Sequence, residues 1–91
     1  MTPHPHRFVH VVEAKSLGGH RLWLRFDDGV AGEIDLSNEL HGEVFEPLRD
    51  AQVFATFRVG EGRTLEWPNG ADFAPEFLRD LVEQSATRAH A

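Results

Sequence analysis

Several groups of residues in this chain have types and spacings that could do chemistry. The histidines at 4, 6 and 10 share one parity, so an extended strand would set them along one edge in the manner of a metal-binding strip. Their spacing matches no zinc pattern. An amino-terminal copper chelate also fails, because Pro3 lacks the backbone N–H that such a chelate must deprotonate. The expectation is an ordinary flexible tail and no metal. His20 and His41 fall in or beside turns with no paired ligand nearby, and are expected as exposed polar residues. Asp27-Asp28 offers a carboxylate pair, but general acid-base work needs a pKa raised by burial or crowding, and a hairpin tip is hydrated. Turn chemistry accounts for both.

Two further motifs combine aromatic and polar groups. Arg21-Leu22-Trp23-Leu24-Arg25 puts two guanidiniums and an indole on one face of a strand, a geometry able to stack a base or clamp a phosphate. Cross-strand carboxylates would largely neutralise it, so pairing on a solvated face accounts for it; the functional alternative is Trp23, flanked by Arg21 and Arg25, as an interface anchor. Trp67-Pro68-Asn69-Gly70-Ala71-Asp72-Phe73 is the densest local motif. Pro68 ends a strand, Asn69-Gly70 supplies a tight turn, and Asp72 can accept backbone N–H groups ahead of a helix. Structural punctuation explains each residue; the functional alternative is a polar notch of Trp67, Asn69 and Asp72 that receives a partner's side chain or a small ligand. No glycine-rich phosphate loop, nucleophile elbow or His-Glu helix motif is present, so no catalytic residue is assigned and no cofactor is expected.

The elements that must position these groups follow from periodicity. Phe8 to Leu17 is rich in Val and Phe, Gly18-Gly19 breaks it, and His20 to Phe26 alternates with Leu22, Leu24 and Phe26 on one face. Which face of the first strand is buried stays open: Phe8, His10 and Val12 form one set, and Val9, Val11 and Glu13 the other. A third strand runs from Val30 to Leu36. A two-residue turn at Asp28-Gly29 would set Leu24 opposite Glu33 and mix core with solvent. A three-residue loop pairs Phe26 with Val30 and Leu22 with Ile34, and requires Gly29 in the left-handed conformation. That register sets Arg21 opposite Asp35 and Trp23 opposite Glu33, with Arg25 diagonal to Glu33.

Beyond the third strand, Ser37 to Leu40 is cap-like, and Pro47 with the short apolar runs from Val44 to Phe54 predicts one-turn helices. Thr56 to Val59 and Leu65 to Trp67 form a second hairpin with Phe57 opposite Trp67 and Arg58 opposite Glu66. Pro75 to about Gln84 is the best helix, with Phe77, Leu78, Leu81 and Val82 as its apolar stripe and Arg79 and Glu83 on its exposed side. The expected architecture is α+β: a small antiparallel sheet of two hairpins plus an extra strand, covered by a C-terminal helix and short one-turn helices. Residues 1–7 are expected as a flexible tail, 8–84 as the domain and 85–91 as a frayed tail.

Composition bounds what such a domain can do. The 91 residues are 41% hydrophobic and carry no cysteine, which excludes disulfide scaffolds, cysteine zinc sites and thiol catalysis. Nine basic against fifteen acidic side chains give a net charge of -6, a field that repels phosphate backbones and favours a basic or neutral partner. No apolar run is long enough for a signal-peptide core or a membrane span, and a cytoplasmic location is the default expectation. With Arg21, Arg25 and Arg58 taken up by Asp35, Glu33 and Glu66, the excess negative charge is expected at Asp27-Asp28, Glu39 to Glu46, and Glu76, Asp80 and Glu83.

The order of motifs resembles a known family. Leu22-x-Leu24-x-Phe26-Asp27-Asp28-Gly29, Asp35-Leu36, Phe45-x-Pro47-Leu48-x-Asp50, Phe54, Trp67-Pro68-Asn69-Gly70-Ala71-Asp72 and Pro75-x-x-Leu78 look like the bacterial domain of unknown function 2442, from about Val9 to Leu81. The resemblance implies a small α+β domain without established catalytic residues. It also implies gene neighbours that form a proposed toxin-antitoxin pair, and in some members an added helix-turn-helix domain. The resulting expectation is a non-enzymatic protein-interaction domain, the antitoxin-like half of such a pair, whose partner is another small protein from an adjacent gene. A homodimer through an exposed strand edge is a further expectation. The alternatives are a nucleic-acid-binding regulator using Arg21, Trp23 and Arg25, or a small-ligand binder at Trp67, Asn69 and Asp72.

Overall fold

Leu22, Leu24 and Phe26 alternate along a strand with strands on both sides, and all three are fully buried. The computed structural model describes residues 9–61 and 63–89. Three strands, β1 (Val11–Gly18), β2 (Arg21–Phe26) and β3 (Ala31–Asp35), form an antiparallel sheet in that order. Leu22 faces Ile34, Trp23 faces Glu33 and Arg21 faces Asp35, the register that separates core from solvent. The three-residue loop closes through Phe26 N–H on Val30 C=O at 2.9 Å, with Gly29 at φ 88°.

The open question of the first strand is settled by irregularity. Bulges lie between Val11 and Glu13 and between Ser16 and Gly18. An extra residue reverses the parity of everything after it, so neither simple alternating set is correct along the whole strand. Val9 and Val11 face inward, Val12 is extruded, and Ala14 packs inward beyond it.

After β3 the chain makes 3-10 turns at Ser37–Glu39 and Glu46–Arg49, with Pro47 as the second residue of the latter. A single α-helical turn, α1 (Ala51–Phe54), follows, and the Asp50 carboxylate accepts the Gln52 N–H at 2.8 Å as its cap. The second hairpin, β4 (Arg58–Val59) and β5 (Leu65–Glu66), forms its own two-stranded sheet with Arg58 opposite Glu66. Its loop meets β1 where the Arg63 carbonyl accepts the Val11 N–H at 2.9 Å.

The long helix α2 (Pro75–Ala89) continues past the expected end at Gln84. It lies on β3 so closely that a Cβ at Gly32 would come within 2.9 Å of the Val82 side chain. Leu78 and Val82 are buried, with Phe77 and Leu81 half-buried beside them. The core lies between the inner face of the three-stranded sheet and this helix, and is completed by a run of rings. His20 meets Phe54 edge-on at 4.8 Å, Phe54 meets Trp67 at 5.5 Å, Trp67 meets Phe73 at 5.8 Å, and Phe73 stacks on Phe45 and Phe77.

Two expectations about this packing need correction. Arg79 is not on the exposed side of its helix: it is 7% exposed, because its Nε donates to Asp28 at 3.0 Å and its Nη1 to Glu83 at 3.0 Å. His20 is not a solvated turn residue: it is half-buried against Phe54, with Nε2 2.8 Å from the Leu48 carbonyl. A carbonyl only accepts, so Nε2 carries the proton and donates.

Candidate functional site

The sequence placed one candidate site on the outer face of β2, and there the side chains are tied laterally. Arg21 Nη2 donates to Glu33 at 2.6 Å, in place of the expected Asp35, which lies directly opposite. Arg25 Nε donates to Glu13 on β1 at 3.2 Å, in place of the expected Glu33. The reach from Arg21 to Glu33 is diagonal, which suits the length of the arginine side chain, whereas Arg25 meets the residue directly opposite it on the other neighbouring strand. Lys15 lies 3.5 Å from Glu13 and 5.2 Å from the centre of the Trp23 ring. Trp23 is half-buried by these neighbours. The face therefore holds a balanced set of charges around one aromatic ring.

The second candidate, the proposed notch, is differently built. Trp67 is 4% exposed, and its indole N–H donates to the Phe54 carbonyl at 2.8 Å. Asn69 spans the turn: its Oδ1 accepts the Ala71 N–H at 3.1 Å and its Nδ2 donates to the Val44 carbonyl at 2.8 Å. The backbone accepting role expected of Asp72 is thus taken by Asn69, while Asp72 pairs with Glu66 through the backbone and is exposed. Thr64 closes the same corner, donating to the Phe73 carbonyl at 2.6 Å in a buried setting. Trp67, Asn69 and Asp72 are near one another in the chain, with the indole inside the core and Asn69 and Asp72 exposed.

Acidic groups divide into engaged and unengaged sets. At the hairpin tip, Asp27 accepts both the backbone N–H of His10 at 3.0 Å and, at 2.9 Å, the His10 ring nitrogen. The His10 side chain, then its backbone N–H, hold the Asp27 carboxyl below its usual range. The Ser37 N–H does the same for Asp35. Asp28 is bound to Arg79. Both carboxylates at Asp27-Asp28, the expected place of excess negative charge, are therefore engaged within the domain, Asp28 by a cation and Asp27 by hydrogen bonds. By contrast, Glu39, Glu43 and Glu46 make no ion pair among the described residues, and the half-exposed Val44 sits among them.

Beside this segment lies a recess of about 300 Å³, lined by Ile34, Asp35, Asn38, Glu39, Leu81 and Ser85. Sequence reasoning missed it. The available signal was the one-turn spacing of Leu81 and Ser85 on α2, opposite the 3-10 turn that ends β3. His4 and His6 lie outside the described residues, and His10 is held by Asp27. No group of three or more His, Asp or Glu among the described residues could hold a metal ion. No described helix is long and apolar enough to cross a membrane.

A three-stranded antiparallel sheet backed by one long helix, with a small second hairpin against its edge, defines a small α+β domain. Residues 11–84 match the family described as protein of unknown function (DUF2442), and the chain belongs to that family. No curated protein matches it. Among solved structures it is similar to one described as "Putative DNA Binding Protein NE0471 from Nitrosomonas europaea ATCC 19718", with a TM-score of 0.75 and 20% sequence identity. The match covers 88% of this chain and 52% of that one, so this chain spans about half the length of that protein. At this identity the likeness shows a shared fold.

Proposed function

We propose that this domain is a non-enzymatic protein-interaction module that holds a small basic protein against its acidic side, as the antitoxin-like half of a cytoplasmic two-gene pair. The observation that carries this reading is an asymmetry of charge. Lys15, Arg21, Arg25, Arg58 and Arg79 each meet a carboxylate within the domain, while Arg49 donates to the Leu40 carbonyl and, like Arg63, makes no ion pair among the described residues. Glu39, Glu43 and Glu46 have no such partner among the described residues; Glu43 and Glu46 are exposed beside Val44, and Glu39 is half-buried just before them. Unpaired carboxylates around an apolar contact speed and orient encounter with a positively charged surface. Co-expression with the product of the adjacent gene tests the reading. A complex that survives gel filtration and weakens when Glu39, Glu43 and Glu46 become Gln is the expected result. No complex, with a neighbour that is harmless when expressed alone, overturns it.

A second reading, nucleic-acid binding through Arg21, Trp23 and Arg25, draws on the description of the structural neighbour as a DNA-binding protein. It requires phosphate to displace Glu33 and Glu13 from the two arginines. If it holds, Glu13→Gln/Glu33→Gln strengthens binding to an upstream duplex and Arg21→Ala/Arg25→Ala abolishes it. A flat titration at low salt discards it.

A further inference from the structure

We infer that the recess between the end of β3 and α2 is an anchor pocket for one basic side chain, a lysine or an arginine, presented by the protein partner. The inference rests on the interaction reading above and specifies where and how the partner is gripped.

The chemistry of the walls fits an amphipathic cation. Ile34 and Leu81 supply apolar wall, against which a methylene stem packs, while Glu39 supplies a carboxylate for the charged end. Lysine and arginine are the side chains that combine such a stem with a cationic head. Glu39 is half-buried, lies in the lining and makes no ion pair among the described residues. Asp35 adds a second negative charge, and one of its oxygens accepts the Ser37 N–H at 2.8 Å. Asn38 and Ser85 add neutral groups able to accept hydrogen bonds from an ammonium or guanidinium. Among the described residues no cation lines the recess.

Other occupants fit less well. A bare divalent ion needs several convergent hard ligands, and no trio of acidic or histidine side chains comes together among the described residues. A phosphate would meet two carboxylates. A side chain brings its own donors and needs only one carboxylate and a few acceptors. The recess volume of about 300 Å³ lies at the small end of ligand sites, suited to one side chain and not to a larger cofactor.

The test uses the whole chain and blocked amino acids as probes. N-acetyl-arginine amide and N-acetyl-lysine amide are titrated against the isotopically labelled protein by NMR, with N-acetyl-norleucine amide as the apolar match. The expected result is saturable shifts confined to the 34–39 and 81–85 segments with a Kd on the order of millimolar. Norleucine amide should give none, and Glu39→Gln should weaken the cationic probes about tenfold. Glu61→Gln, which removes an exposed carboxylate elsewhere, should leave binding unchanged. Shifts that are absent, unsaturable or equal for norleucine amide overturn the pocket. The complex with the adjacent gene's product separates this inference from the reading beneath it. If that complex forms and Glu39→Lys leaves it intact, the anchor is wrong and the interaction reading stands. If no complex forms while the cationic probes still saturate the recess, the partner reading falls and only the recognition of a basic group survives.

Discussion

Trp23 and Trp67 are the two tryptophans of this chain, each beside polar residues in sequence, and the fold uses them in opposite ways. Trp67 is enclosed by Phe54, Phe57 and Phe73, and its N–H is committed to a buried carbonyl. Trp23 faces away from the core, framed by ion pairs that run from strand to strand. The difference comes from register. Position 67 lies two residues beyond the buried Leu65 of β5 and shares its inward parity, whereas position 23 lies between the inward residues Leu22 and Leu24 and must point outward. An aromatic beside polar groups in sequence is therefore ambiguous until its parity is known.

The sharpest way to break this contrast is to truncate both rings and compare unfolding in urea. Trp67→Ala should cost about 3–5 kcal/mol, the range for losing a buried aromatic. Equal losses at the two positions would mean that Trp23 is structural after all. Arg79→Ala comes next. It removes both charged hydrogen bonds of α2 to Asp28 and Glu83, but leaves carboxylates that water can reach, so about 1–2 kcal/mol is expected. Thr64→Val should cost about 1 kcal/mol or somewhat more, because the Phe73 carbonyl loses its buried donor. Trp23→Ala is expected at under about 1 kcal/mol, as for a half-exposed strand residue whose neighbours remain paired with one another. If its thermal midpoint falls as far as that of Trp67→Ala, the comparison fails.

Acid titration probes a subtler difference. The folded-state pKa values of Asp27 and Asp35 are held down, so each contributes stability that is fully present above the ordinary carboxylate range. That contribution is lost as the pH falls through the folded-state values, below about 4. Asp27→Asn should flatten this acid limb while leaving the pH 7 fold unchanged by circular dichroism. An acid limb identical to that of the parent would remove Asp27 from the account.

Much of the fold was legible because the sheet obeys a period of two. Leu22, Leu24 and Phe26 admitted one sensible register, and Arg58 opposite Glu66 repeated the logic in the second hairpin. β1 was not legible, since a bulge at Val12 leaves no compositional mark and inverts the pattern beyond it. Arg79 was misjudged because helical periodicity says which face turns inward, not which loop a long side chain will meet 51 residues away. The Trp67 motif was correctly read as a turn, but its hydrogen bonds went to Phe54 and Val44, carbonyls in distant segments. The recess at Glu39 belongs to the same class of feature, made by β3, a 3-10 turn and α2 meeting in space.

The loop Asp27 to Gly29 has a consequence for how the domain opens. One carboxylate grips the segment just before β1 and the next grips α2, so adjacent residues tether parts of the chain that are otherwise far apart in sequence. Local unfolding at the two ends is thereby governed by separate latches on a common mount. Releasing the Asp27 latch should raise amide exchange around Val9 to Val11 alone. Releasing the Asp28 latch should raise it along the helix, and a variant lacking both would exchange at both ends.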